Sequence, residues 1–266
     1  MELLKSLLRA RPLDITSLDT HDSGMDVDGE LAPLHTLEDL ERRIQCSKEE
    51  LKAALKKISA FEFEGHMRVL NLDSEYAIAR HLALTVNAQG FDLTSIDKSA
   101  LTSKAKSSRF SDQLIEFAVG EYLEVPALAA ESDTTRYVFN VPRYNAIAAR
   151  TILSKKPQWN LNDFLESWKA LLPDNFAVDL ASLDGIAYTE EYGKDIKLHY
   201  LLASELSHNI KTRLAELFKC KPKWTFAHIK PYLQDLLTPE MNEEQLLVAH
   251  TRSSNGPNGT RLYSTR

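Results

Sequence analysis

The sequence predicts a mainly α-helical protein with small β-hairpins, an α+β fold. One observation is a Lys-Pro-x-Trp pattern, which occurs at residues 156–159 and again 65 positions later at residues 221–224. The other is a recurring order of short capped helices followed by an alternating hairpin, which is the order of a winged helix. We therefore predict tandem winged-helix units within the 266 residues, three of them clear and one a doubtful, degenerate copy.

The composition is typical of a globular protein, with 43% apolar and 26% charged residues. No run of apolar residues approaches the roughly 18 that a membrane helix requires. The amino-terminal stretch MELLKSLLRARPLDI mixes charges with its leucines, unlike a signal peptide. We therefore expect an intracellular protein that does not contact a membrane. Cys46 and Cys220 are too few and too isolated for a disulfide framework, and we expect both to be buried.

The first predicted unit covers residues 1–74 and begins with a leucine-rich amphipathic helix at residues 2–9. Residues 14–30 contain six acidic residues and no Lys or Arg, and we interpret them as an acidic mobile loop. A calcium-binding loop is the alternative for this segment. The Asp-x-Asp spacing, the Gly and the distant Glu of such a loop are not in register, so we do not favour it.

Two short helices and a hairpin complete this unit. Thr36 and Ser47 can each cap a helix, since an acidic residue, Asp39 or Glu50, follows three positions later as in a capping box. In residues 61–70, apolar residues alternate around a Glu-Gly pair, which predicts a β-hairpin.

The rest of the chain repeats this order less regularly. Residues 75–140 contain helix candidates and the strand-like RYVFNV, and we predict a degenerate or linking unit there. Residues 141–202 are predicted to form a winged helix, and residues 203–266 a carboxyl-terminal one. We place helices in these two units at residues 142–153, 160–171, 205–218, 226–236 and 242–252.

Long stretches of the chain carry a family resemblance. They are VPRYNAIAARTIL, then WNLNDFLESWKALLPDNFAVDLASLDGIAYTE, and finally KPKWTFAHIKPYLQDLLTPEMNEEQLLVAHTRSSNGPNGTRLYSTR. They resemble the carboxyl-terminal region of Dcc-type sister-chromatid cohesion subunits, which belong to an alternative, RFC-like clamp loader. The resemblance covers nearly the whole chain.

The resemblance implies a nuclear, non-enzymatic accessory subunit that acts in DNA replication, sister-chromatid cohesion and the cell cycle. In the family, tandem winged helices bind double- and single-stranded DNA with little sequence preference and contribute to contact with the catalytic subunit of DNA polymerase epsilon. An amino-terminal barrel segment joins the loader's large and small subunits. We expect that segment to be absent from this chain.

The repeated tryptophan has two interpretations. Trp159 or Trp224 can stack on a nucleic-acid base or anchor a partner, an interaction of about 1–3 kcal/mol for a stacked base. Alternatively, Asn160 and Thr225 cap the helices that follow, and each Trp forms a hydrophobic staple with the fourth helical residue. We favour the staple. Its helical members are Phe164 and Ile229.

Basic residues concentrate at the carboxyl end of a chain whose net charge is −6. Residues 211–230 contain six Lys or Arg and one acid, and residues 249–266 contain three Arg and no acid. In a winged helix, the third helix and the wing are the parts that approach a duplex. We predict that they contact DNA phosphates with little sequence choice. The predicted DNA-binding residues are Lys219, Lys221, Lys223, Arg252, Arg261 and Arg266.

Within this surface, we expect Arg252 to end the third helix, and Arg261 and Arg266 to lie in or beyond the wing. Glu243 and Glu244 stand at the start of that helix, where they suit the helix dipole but repel phosphate. Contact through the wing and the helix end is therefore favoured, and a sequence-specific transcription factor is disfavoured. The alternative function is a protein-only scaffold whose basic face meets an acidic protein surface.

Catalytic motifs are missing from the sequence. It has no His-Glu-x-x-His, no Gly-x-Ser-x-Gly and no phosphate loop of the Gly-x-x-x-x-Gly-Lys-Ser/Thr kind. We therefore expect a protein that is not an enzyme and needs no cofactor or metal.

Overall fold

The computed structural model describes residues 2–16, 32–126, 136–193, 195–237, 241–256 and 259–266. Most of the predicted acidic loop lies outside the described residues. The chain divides into two compact units, one of Met1–Thr151 with Leu172–Ala177, the other of Ile152–Leu171 with Val178–Arg266. Within the described ranges, no helix is both long and apolar enough to cross a membrane.

The first unit is mainly helical and has two small antiparallel sheets. Its helices are α1 (Glu2–Arg9), α2 (Leu37–Arg43), α3 (Lys48–Lys57), α4 (Leu72–Ala88), α5 (Lys98–Ala105), α6 (Asp112–Tyr122) and most of α7 (Val141–Leu153), whose last two residues are assigned to the second unit. Its strands are β1 (Phe61–Phe63), β2 (His66–Arg68), β3 (Leu123–Glu124) and β4 (Val138–Phe139). The strands pair as β1–β2 and β3–β4.

Local sequence chemistry sets the starts of α2 and α3, as predicted. The hydroxyl of Thr36 accepts a hydrogen bond from the Asp39 amide, and the Asp39 carboxylate accepts one from the Thr36 amide. Ser47 and Glu50 form the same reciprocal pair, with N···O distances of 2.9 and 3.1 Å. Each pair satisfies two amide donors that the helix itself leaves free, so both capping boxes are confirmed.

Replacing Ser47 with alanine is expected to lower the free energy of unfolding of the first unit by about 1 kcal/mol, because the α3 amide loses its acceptor. Hydrogen exchange of the Glu50 amide should become faster, while exchange at the Asp39 amide of α2 stays unchanged. Equal acceleration at both amides would contradict a local effect of the cap.

The core of the first unit forms where helical apolar faces meet. Leu4 and Leu8 of α1 pack with residues of α2, α3 and β2. A larger cluster joins the inward faces of α4, α5 and α6, with Leu82 and Leu101 fully buried. The predictions missed α5, whose segment KSALTSKA buries only Leu101 and Ala105 and therefore shows no clear apolar stripe.

The second unit contains two three-stranded antiparallel sheets with strand orders β5-β7-β6 and β8-β10-β9. The strands are β5 (Gln158–Asn160), β6 (Ala187–Tyr192), β7 (Asp195–Tyr200), β8 (Trp224–Thr225), β9 (Arg252–Asn255) and β10 (Arg261–Ser264). The helices are α8 (Leu161–Lys169), α9 (Ile210–Cys220), α10 (Phe226–Ile229) and α11 (Glu243–His250). Short 3-10 turns cover Leu180–Leu183, Ala203–Glu205, Lys230–Tyr232 and Gln234–Leu236. The predicted α+β class with small antiparallel sheets is thereby confirmed.

The same strand pairing recurs in four segments of the chain. In each, the residue just before a helix N-cap pairs antiparallel with the last strand of the segment or the residue next to it. The four paired residues are His35, Ile96, Trp159 and Trp224. Two segments have three-stranded sheets, and the other two have a single bridge beside a two-stranded sheet. The count of winged-helix units and the predicted domain boundaries therefore stay predictions.

Several details differ from the sequence-based expectations. The helix predicted at residues 226–236 is one α-helical turn followed by two 3-10 turns, where Pro231 provides no amide donor. The helix predicted at residues 242–252 ends at His250, because Arg252 pairs with Ser264 in the sheet. Both Cys46 and Cys220 are exposed, and the expectation that they are buried was wrong. Cys46 lies in the turn between α2 and α3, and Cys220 is the last residue of α9.

Candidate nucleic-acid interface

The tryptophan of the second Lys-Pro-x-Trp copy lies in the core. Trp224 is fully buried, and its indole Nε1 donates a hydrogen bond to the Leu217 carbonyl at 3.0 Å. Thr225 caps α10, and Ile229 joins Trp224 in the same apolar cluster. A side chain without exposed surface cannot stack on a base. The staple interpretation therefore holds for this copy.

The first copy is built in the same way but lies nearer the surface. Asn160 caps α8, and the ring of Trp159 meets that of Phe164 edge to face, with centroids 6.3 Å apart. Lys156 Nζ lies 3.7 Å from the centre of the Trp159 ring, a cation–π contact. Trp159 is only half-buried. Its ring contacts both Phe164 of the staple and the ammonium of Lys156.

Three of the six basic residues in the stretch 211–230 are already engaged within the protein. Arg213 is fully buried and binds both carboxylate oxygens of Asp235. It also donates to three backbone carbonyls, those of Leu206, Ser207 and Tyr232. Arg213 therefore belongs to the core. Lys230 faces Glu243 at 3.7 Å.

Lys221 is the third engaged residue, although we predicted it to contact DNA. Its Nζ donates a hydrogen bond to the Thr189 carbonyl at 2.9 Å, and it lies near the rings of Tyr188 and Trp224. Burial holds the pKa of Lys221 below its usual value, against the opposing effect of Glu190 and Glu191. This lysine links two segments of the second unit and is poorly placed to meet a phosphate.

Lys223 and Arg252 are brought together by the last sheet. Trp224 pairs with Tyr263, so continuing the register by one residue places Lys223 beside Ser264. Arg252 pairs with Ser264 from the other side. Directly opposed residues share a face, and Lys223 immediately precedes β8, so extending that strand by one residue would bring Lys223 to the face that carries Arg252. Both side chains are exposed and make no hydrogen bond or ion pair within the described part of the chain.

The remaining predicted residues surround this pair at different places. Arg261 pairs with Asn255, and its side chain is on the opposite face from Arg252, where it contacts Ser253 and the ring of Tyr263. Arg266 donates a hydrogen bond to the Ala249 carbonyl. Lys219 is exposed in the last turn of α9. The six predicted residues therefore do not form one continuous patch.

The chain matches one protein-family model over most of its length. The family model of the sister chromatid cohesion protein Dcc1 matches residues 1–233. The chain belongs to the Dcc1 family. The match to the Dcc1 model ends before α11 and the β9–β10 hairpin.

Named Dcc1 relatives occur in distant organisms. The sister chromatid cohesion protein DCC1 of Danio rerio is 27% identical over 266 residues, which are 100% of this chain and 66% of that protein. The human DCC1 is 25% identical over 232 residues, 87% of this chain and 58% of that protein. The DCC1 of Saccharomyces cerevisiae is 24% identical over 225 residues, 82% of this chain and 58% of its own length. The chain thus spans less than two thirds of the length of these Dcc1 relatives.

In a winged helix the third helix approaches the duplex, and in this Dcc1 family member α11 has that predicted role. The outward face of α11 does not suit contact with DNA. Leu246 and Leu247 of α11 are buried, which turns Glu244 and Val248 outward, the latter 62% exposed. An acid and an apolar residue one turn apart do not suit a phosphate backbone. Among the described residues, no cluster of His, Cys, Asp or Glu could hold a metal ion.

Sequence reasoning missed the residues that tie this region together. Arg213 and Asp235 are 22 positions apart, and nothing local marks them as a pair. The 3.4 Å contact of His208 with the same carboxylate is equally nonlocal. The one available signal was the density of Lys and Arg, which does not separate a core arginine from a surface one.

Proposed function

We propose that the chain is a non-enzymatic accessory subunit that acts in sister chromatid cohesion and contacts DNA through its last segment. Membership of the Dcc1 family carries the proposal, because relatives across vertebrates, Dictyostelium and yeast are named for sister chromatid cohesion. The exposed and unpaired basic residues of the last sheet support the DNA contact. The proposed location is the nucleus.

The wider assembly is part of the same proposal. The subunit would work within an RFC-like clamp loader that loads or unloads the sliding clamp. It would meet the catalytic subunit of DNA polymerase epsilon, and the loader's large and small subunits through a further segment. The exposed face of α11, with Val248 beside Glu244, suits a protein partner better than DNA. This observation favours a second candidate function, a scaffold that binds only proteins.

DNA binding can be tested by titrating labelled duplex and single-stranded DNA with the purified chain at several salt concentrations. We expect an affinity that falls steeply with salt and depends little on sequence. Replacing Lys223 or Arg252 with alanine should lower the slope of log affinity against log salt by about one each. Lys230→Ala removes the same charge beside Glu243 and is the matched control, with an unchanged slope expected.

Three outcomes would contradict this proposal in different ways. The absence of DNA binding at low salt would exclude direct DNA contact and favour the scaffold that binds only proteins. Unchanged binding in the Lys223→Ala and Arg252→Ala variants would show that DNA meets another surface. A strong preference for one base sequence would indicate readout of base edges, which phosphate contacts do not provide.

A further inference from the structure

A cavity in the second unit has no role in the proposed DNA contact. Its volume is about 260 Å³, and it lies between the start of β6, the 3-10 turn Leu180–Leu183 and helix α10. Leu161, Leu183, Leu198, Ala227 and Pro231 supply most of its apolar wall. Every described residue of this wall belongs to the same compact unit.

The size and the surroundings of the cavity indicate what can occupy it. Small-molecule sites usually measure about 300–1,000 Å³, and this cavity is smaller. A single large apolar side chain fits such a space. Leu180 contributes to the wall and is 55% exposed, so the apolar surface continues from the cavity into solvent. An occupant that covers both the cavity and Leu180 is larger than the cavity itself, as a protein segment is.

Hydrogen-bonding groups lie within this apolar wall. Tyr232 lines the cavity and is 1% exposed, and its hydroxyl forms no hydrogen bond in the described part of the chain. The Nδ1 atom of His228 is likewise buried without a partner. Unpaired buried groups cost about 1–3 kcal/mol each. Both atoms have almost no accessible surface, so an occupant of the cavity meets apolar wall there and not these two groups.

Among the described residues that line the cavity, Asp184 is the one carboxylate. Asp184 lines the cavity, is exposed and makes no ion pair among the described residues. Asp184 and Glu191 both act on the charge of His228, whose pKa is held below its usual value first by burial and then by Lys221. Glu191 is not part of the wall, and the ammonium of Lys221 is already bound to the Thr189 carbonyl, so Asp184 is the charge that the wall presents to an occupant. A cationic residue next to the inserted side chain would complement this charge.

From these features, we propose that the cavity is a docking site for one large apolar side chain of a partner protein, in a segment where Lys or Arg is the next residue. The apolar side chain fills the cavity, and the cationic residue approaches Asp184. None of the six residues predicted to bind DNA lines the cavity.

Capped dipeptides test the proposal on the full chain labelled with ¹⁵N. N-acetyl-Leu-Arg-amide should cause saturable amide shifts at Ala187, Thr189 and Ala227. N-acetyl-Ala-Arg-amide should bind at least about tenfold more weakly, since it lacks most of the apolar surface. N-acetyl-Leu-Glu-amide should also bind more weakly, because its carboxylate meets Asp184.

Two variants and a control sharpen this test. Ala227→Phe places a ring at the cavity wall and should abolish the shifts, whereas Ala53→Phe, an exposed position on α3, should leave them intact. Asp184→Asn alters only an exposed side chain and should bring the affinities for Leu-Arg and Leu-Glu close together while preserving the preference for Leu over Ala. This second variant keeps the test valid if Ala227→Phe does not fold.

The proposal fails if none of the dipeptides shifts these amides, or if Ala-Arg binds as well as Leu-Arg. Saturation by cyclohexane or toluene at lower concentrations than by Leu-Arg would replace it with a small-molecule site. An unchanged ratio of Leu-Arg to Leu-Glu binding in Asp184→Asn would overturn the assignment of the cationic neighbour.

Discussion

Replacing Arg213 with alanine is expected to destabilise the last segment of the chain, residues 203–266, by about 3–5 kcal/mol. The change leaves the Asp235 carboxylate without its bidentate partner and three backbone carbonyls without a donor. A guanidinium titration followed by tryptophan fluorescence measures the loss. All three tryptophans of the chain lie in the second unit, so the signal reports that unit.

A control substitution on the same helix distinguishes the stability effect of the buried Arg213 from that of an exposed basic residue. Lys211→Ala removes a basic side chain from the exposed face of α9 and should change the free energy of unfolding by less than about 0.5 kcal/mol. The pair Arg213→Met with Asp235→Leu should recover part of the loss, because no buried charge remains. Similar unfolding midpoints for Arg213→Ala and Lys211→Ala would show that the buried ion pair does not support the segment.

The same pair predicts how stability depends on pH. Burial alone would raise the pKa of Asp235, but the hydrogen bonds and charge of Arg213 outweigh it, and the pKa lies below its usual value. Since the folded-state pKa is depressed, the stabilisation is complete above the unfolded pKa of about 4. It is lost as the pH falls through the folded-state value. The Arg213→Ala variant should lack this acid-dependent loss.

Replacing Trp224 with alanine is the second change expected to have a large effect, with a loss of about 3–5 kcal/mol in the free energy of unfolding. The ring is fully buried and packs against Tyr188 and Tyr232, with centroids 4.9 and 5.6 Å away. The substitution also leaves the Leu217 carbonyl without its indole donor. Near-ultraviolet circular dichroism during thermal unfolding should show the lower midpoint.

Trp159, the tryptophan of the first Lys-Pro-x-Trp copy, provides a comparison for the stability loss at Trp224. Trp159→Ala should cost less than Trp224→Ala, since Trp159 is only half-buried and its Nε1 atom donates no hydrogen bond among the described residues. Trp224→Phe keeps an aromatic ring and should lose less stability than Trp224→Ala. If Trp224→Phe instead weakened DNA binding without a change in stability, the side chain would be a contact residue and the staple interpretation would be wrong.

The local features of the fold could be predicted from the sequence, because their causes lie within a few residues. The caps Thr36 and Ser47 and the staple of Trp159 with Phe164 needed only the spacing of side chains along a helix start. The same spacing of N-cap and buried helical residue occurs four times in the chain. The residues four positions after the N-caps are Leu40, Leu101, Phe164 and Ile229, all fully buried.

The surface could not be predicted in the same way, because it depends on strand register and on contacts between distant residues. Arg252 and Arg261 lie on opposite faces only because Arg261 pairs with Asn255 and Arg252 with Ser264. Lys221 is removed from the predicted DNA surface by the Thr189 carbonyl, 32 positions away. Counting charges along the chain therefore does not separate the exposed basic residues from those that are held within the protein.

The recurring strand pairing has a consequence for how the chain folds as it is synthesised. In each segment, the residue before the N-cap pairs with a residue in or next to the strand that is synthesised last. Trp159 pairs with Leu198, and Trp224 pairs with Tyr263. A ribosome adds about 5–20 residues per second, so each sheet stays open for seconds after its first strand emerges. During that time the indole of Trp224 lacks the strand that covers it. Fragments for expression should therefore end after the last strand of a segment.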